Sequence, residues 1–133
     1  MGMEEIVTEF SNALVEEIFK MLGINYTKAD EKRGEFEIYK FFVGTDMFSM
    51  LVEEHRMVLL HFFKGENVNL DDINRWNQER SLCIRSFLDD DGDIGSDYFI
   101  FCDGGVTKKH IHATVAGFVS QVCRLYTEFF KLA

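Results

Sequence analysis

A chain of 133 residues that is 47% hydrophobic and 14% aromatic can bury a core without metals or disulfides, which excludes a disordered chain. Its 23 acidic and 14 basic residues leave a formal charge of −9, which excludes a broad basic face for nucleic acid or anionic lipid. No run approaches the ~20 apolar residues needed to cross a bilayer. With no proline, linker or repeat, a single domain over 1–133 is expected.

The start, Met1-Gly2-Met3-Glu4-Glu5, is acidic where a signal peptide is basic, and Ile6 stands where a myristoylation signal wants Ser or Thr. Residues 3–22 read as a helix, with Ile6, Val7, Phe10, Ala13, Leu14, Ile18 and Met21 on one face and Gly23 as its stop. Val15 and Phe19 lie off the main stripe, as a contact patch or as the edge of a wide core face. Strand-like alternation follows over 35–43, 47–53 and 56–63, with a tight turn at Glu53-Glu54-His55. The last two strands are apolar on both faces, so the sheet is expected to be covered on both sides, by helices or by a second subunit. A short helix over 70–80 is capped by Asn69 or Asp71 and carries Leu70, Ile73, Trp76, Asn77 and Arg80 as its stripe. Trp76 reads as core, or else as a surface anchor. A second hairpin joins strands 82–88 and 94–102 through Asp89-Asp90-Asp91-Gly92-Asp93, where Asp-Gly suits a turn with positive φ. Asp103-Gly104-Gly105 ends the sheet, and Thr107 caps a final helix over 108–132.

That helix has two adjacent stripes. One is Ile111, Val115, Phe118, Val122, Leu125 and Phe129; the other is Ala116, Val119, Cys123, Tyr126 and Phe130. Together they cover about half the circumference. Either the helix is deeply sunk in its own domain, or Val119, Cys123, Tyr126 and Phe130 meet a partner.

The chemistry-bearing residues fall into weak constellations. The turn over 89–97 invites a calcium reading, but aligning Gly92 on the EF-hand glycine puts Phe87 and Tyr98 at the first and last ligand positions. His110 and His112 are two apart on a helix and diverge, and His55 and His61 have no matching ligand pattern. Gly104-Gly105 before a helix lacks both phosphate-loop motifs, and Asp103 would repel an anion. Cys83, Cys102 and Cys123 are odd in number and sit at apolar positions, as inert thiols in a reducing cytoplasm do. No metal, cofactor or catalytic residue is assigned.

Between Leu70 and Thr107, Ile73-Asn74-Arg75-Trp76-Asn77, then Phe87-Leu88-Asp89-Asp90-Asp91-Gly92-Asp93, then Gly104-Gly105-Val106-Thr107 resemble the YbjN family of bacterial sensory transduction regulators. The order helix, three strands, helix, two strands, helix matches as well. The resemblance implies an α+β fold like the type III secretion chaperones, usually dimeric, with no enzymatic activity and no catalytic residues to carry over. It also implies structural roles for Trp76, Asn77, Asp91, Gly92, Gly104 and Gly105 in helix packing, capping and tight turns. The expectation is a non-enzymatic, chaperone-like or regulatory protein-binding module of the bacterial cytoplasm. It would form a homodimer, with a protein or peptide partner and no nucleic acid or membrane. A small-molecule- or metal-responsive regulator on the same fold is the alternative.

Overall fold

The computed structural model describes residues 2–64, 68–79 and 84–125. Its elements are β1 (Ile6–Val7), α1 (Asn12–Leu22), β2 (Tyr26–Lys28), β3 (Glu37–Val43), β4 (Asp46–Val52), β5 (Arg56–Phe63), α2 (Leu70–Glu79), β6 (Arg85–Leu88), β7 (Ile94–Phe101), β8 (Val106–Thr107) and α3 (Lys108–Arg124). Six strands form one antiparallel sheet in the order β2-β3-β4-β5-β7-β6, and β1 pairs with β8 in a separate ribbon. The α+β class stands. The expected five strands are six, joined by the ribbon.

The helices cover one face of the sheet. Leu14, Val15, Ile18 and Phe19 of α1 and Ile111, Val115, Phe118 and Val122 of α3 share a core with Tyr39, Phe41, Phe48, Met50, Met57, Leu59 and Ile100. A second cluster brings Ile73 and Trp76 of α2 against Phe63, Ile94 and Leu125. Alternation along each strand assigns these sheet residues to one side, here the inner face.

The first helix begins at Asn12, not residue 3. The carbonyls of Met3 and Glu5 accept from the N–H groups of Lys109 and Lys108, so the preceding segment caps the N-terminus of α3. Ser11 then caps α1 by accepting from the Leu14 N–H. The helical phase is therefore set by residues 12–22. Val15 and Phe19 are fully buried, while Ile6 and Met21 are exposed. The wide-core reading of that pair holds. Gly23, at φ 68°, ends the helix as expected.

Strand β2 is three residues long, too short to show alternation, and packing recruits it. The Tyr26 ring stacks on Phe19 at 4.5 Å. Asn69 caps α2 reciprocally: its side chain accepts from the Asp72 N–H, and its own N–H donates to the Asp72 carboxylate. The expected positions Arg80, Cys83, Tyr126, Phe129 and Phe130, and the helix beyond Leu125, lie outside the described residues.

Candidate functional site

The other face of the sheet is not covered by α1, α2 or α3. Its strand residues are Ile38, Lys40 and Phe42 of β3, Met47, Ser49 and Leu51 of β4, and Arg56, Val58, Leu60 and Phe62 of β5. Gly95, Asp97, Phe99 and Phe101 of β7, Arg85 and Phe87 of β6 and Thr27 of β2 complete it. Among the described residues, eight large hydrophobic side chains are exposed. Five of them stand here: Phe42 (59%), Met47 (43%), Phe62 (45%), Phe99 (41%) and Phe101 (53%). Scattered single apolar residues are ordinary on a protein surface; five large ones sharing one sheet face are not.

Strand register arranges this face in rows. Phe42 opposes Met47, and Phe62 opposes Gly95, which opposes Phe87. A Cβ on Gly95 would overlap the Phe87 ring and come within 2.8 Å of Phe62. The missing side chain therefore lets two rings meet edge to face over β7, with centroids 5.9 Å apart. The next row, Lys40–Ser49–Leu60–Asp97–Arg85, is mixed. The third, Ile38–Leu51–Val58–Phe99, is wholly apolar, and Phe99 stacks on Phe101 at 6.2 Å.

Two ion pairs border the apolar rows. Arg56 grips Glu53 through two bonds of 2.8 Å and lies over the Phe36 ring. That fork holds the Glu53 carboxyl below the usual carboxylate range. Arg85 binds the buried Asp97 carboxylate at 2.6 Å and lies over Phe87, and the hydrogen bond to Asp97 pushes its own pKa up.

Most of the residues singled out in the sequence lie elsewhere. Trp76 is buried in the second cluster. Asn77 is a clamp: its amide donates to the Ser86 carbonyl and its oxygen accepts from the Ser86 N–H, both at 3.0 Å, fastening α2 to β6. Gly92 sits at φ 81° in the β6–β7 hairpin. Asp91 is exposed there, its N–H donating to Asp89. Gly104 and Gly105, at φ 80° and 98°, turn the chain from β7 into β8, and a Cβ on Gly105 would meet Ile6 at 2.8 Å.

Carboxylate oxygens of Asp89, Asp91 and Asp93 lie within 4.8 Å of one another. One oxygen of Asp89 already accepts from the N–H groups of both Asp91 and Asp93, so that carboxylate anchors the hairpin. His61 is buried on the inner face, where desolvation lowers its pKa. Burial pushes the Cys102 and Cys123 thiols up, away from the reactive thiolate. On α3, Val119 packs partly buried against the main core and Cys123 is half-buried. Tyr126 and Phe130, which complete the expected interface stripe, lie outside the described residues.

The exposed rings stand on strands, whereas the widest apolar stripe in the sequence lies on α3. Their signal was present in strands apolar at both parities. One apolar set belongs to the helices, and the other requires a different neighbour.

A family model described as "Putative bacterial sensory transduction regulator" matches residues 11–131. The chain belongs to the YbjN family. No curated protein matches its sequence. The crystal structure of YbjN from E. coli, itself described as a putative transcription regulator, superposes with a TM-score of 0.63. It is 14% identical, and the match covers 96% of this chain and 93% of that one. The YbjN fold is thus shared, and the family is described as regulatory. Among the described residues, no helix is long and apolar enough to cross a membrane.

Proposed function

We propose that this YbjN-family chain is a non-enzymatic, cytoplasmic regulatory module that acts by protein contact, with the outer face of its sheet as the contact surface. The observation that carries this reading is the group Phe42, Met47, Phe62, Phe99 and Phe101, exposed together on a face that no helix covers among the described residues. Large rings on a rigid sheet supply much contact area at small entropic cost, which is how interface anchors work. The E. coli relative's regulatory description fits action through a protein, since a chain at −9 repels a phosphate backbone.

The test compares polypeptides retained from a bacterial lysate by the immobilised wild type and by a Phe99→Asp/Phe101→Asp variant, with the untagged chain itself counted among the prey. Retention by the wild type that the variant loses supports the reading. Equal retention by both would remove the sheet face from the function.

A further inference from the structure

At the β2 end of the outer face lies an open cleft of about 450 Å³, within the size range of small-molecule sites. Its walls are the turn 23–25 and β2 on one side and Lys40, Phe42 and Val43 of β3 on the other. We propose that it binds a small aromatic carboxylate, with the ring on Phe42 and the carboxylate between Lys40 and Thr27.

The charge of the lining selects an anion. The chain has 23 acidic residues, yet no carboxylate stands among the described lining residues, and Lys40 is the charged group there. The carboxylates nearest in the sheet are already engaged. Glu37 is shared by Lys28 and Lys32 at 3.4 Å each, and Asp97, in the row of Lys40, is held by Arg85 at 2.6 Å. None of the ion pairs among the described residues uses Lys40, whose side chain is exposed. One ammonium matches one negative charge. Further charges, as on a nucleotide or a polyphosphate, would meet the field of a −9 chain with no second cation to offset it.

The polar partners stand in register. Thr27 opposes Lys40 directly across the β2–β3 pair, so hydroxyl and ammonium rise side by side from the outer face. A carboxylate needs donors for both oxygens, and these two supply them, with the Asn25 amide lining the same cleft.

The apolar part selects a ring. Phe42 lies two residues beyond Lys40 on the same face, ~7 Å along the strand, and is 59% exposed. Ile24 and Val43 beside it are partly buried. A flat arene stacked on Phe42 gains more than its buried area alone provides.

The walls are fixed by contacts that need no ligand. The N–H groups of Gly23 and Ile24 donate to the carbonyls of Lys20 and Phe19, both at 3.1 Å, and hold the turn to α1. The Tyr26 ring, stacked on Phe19, holds β2. A preformed cleft lowers the ordering cost of binding. It stands apart from the protein-contact reading and shares Phe42 with it.

Titration of the purified chain with sodium naphthoate, followed by amide chemical shifts, tests this. Saturable shifts should gather at Asn25, Thr27, Lys40 and Phe42. The neutral naphthamide should bind the same wild type about tenfold more weakly or worse. Lys40→Met, which keeps the aliphatic stem, should weaken naphthoate by that factor and leave naphthamide unaffected. Phe42→Ala should weaken both. No saturable shift, or saturable shifts away from the cleft, overturns the site. Equal affinity for naphthoate and naphthamide, or an unchanged affinity in Lys40→Met, overturns the role of the ammonium. Displacement of naphthoate by inorganic phosphate at equal concentration would show a bare anion site and overturn the role of the ring.

Discussion

At the scale of single residues, Tyr39 links α1 to the sheet. Its hydroxyl donates to the side-chain oxygen of Asn12, and its ring is 1% exposed among Phe19, Tyr26 and the sheet. Burial first, then the nearby charges of Glu37, Tyr26 and Glu16, push its pKa up to about 12 from 10.0. The unfolded chain releases this proton near pH 10.0, while the folded chain keeps it until about 12. The stabilisation is therefore complete below pH 10.0 and lost as pH climbs through about 12. Denaturant titrations across that window should show a fall of roughly 2–3 kcal/mol attributable to Tyr39. Tyr39→Phe should flatten that fall and cost about 1 kcal/mol at neutral pH for the lost hydrogen bond. A slope unchanged by Tyr39→Phe would show that other groups carry the alkaline transition. Gly95 acts at the same scale in the opposite sense, by what it lacks: without its Cβ vacancy, Phe62 and Phe87 could not meet over the strand.

At the scale of elements, α2 is attached to β6 by one amide side chain that imitates a neighbouring strand. Asn77→Ala leaves the N–H and the carbonyl of Ser86 without that partner. The expected loss is about 2–3 kcal/mol, read as a lower denaturation midpoint with faster amide exchange at Ser86 and its neighbours. Normal exchange there would mean that the Trp76 contacts alone hold the helix. The same scale decides what was legible beforehand. Strands β3, β4, β5 and β7 and helices α2 and α3 are long enough for their period to show, and as far as they are described they fell where the pattern put them. Strands β1, β2 and β8 have two or three residues and no readable period. Ile6, Val7 and Phe10 have helical spacing, yet the carbonyls of Met3 and Glu5 serve the amides of Lys108 and Lys109, a tertiary demand that local pattern does not encode. For the contact surface, the two-sided apolarity of β4 and β5 was legible. Which parity the helices take depends on how α1 and α3 pack, and the wide stripe of α3 is the stronger apolar signal in the sequence. Ile111, Val115, Phe118, Val122 and Leu125 account for one half of that stripe by burial in the chain's own core.

At the scale of the molecule, charge and apolar surface meet on one face. The chain's −9 acts over its whole surface, while the apolar rows attract only in contact. Added salt screens the charge and leaves apolar attraction intact. Raising sodium chloride from low to physiological strength should therefore leave intact the retention of polypeptides by the immobilised wild type. Retention lost with salt would place the contact on charge and not on the rings. The late position of α3 has a consequence for the chain as it is made. The sheet is complete at Phe101, but half of the cover for its inner face is supplied only by residues 108–125. During synthesis at ~5–20 residues per second, a nascent chain spends about a second or more with both sheet faces short of cover. Stalled or truncated translation products of this protein should therefore be stickier than the finished molecule, and their fate in the cell should depend on holdase chaperones at the ribosome.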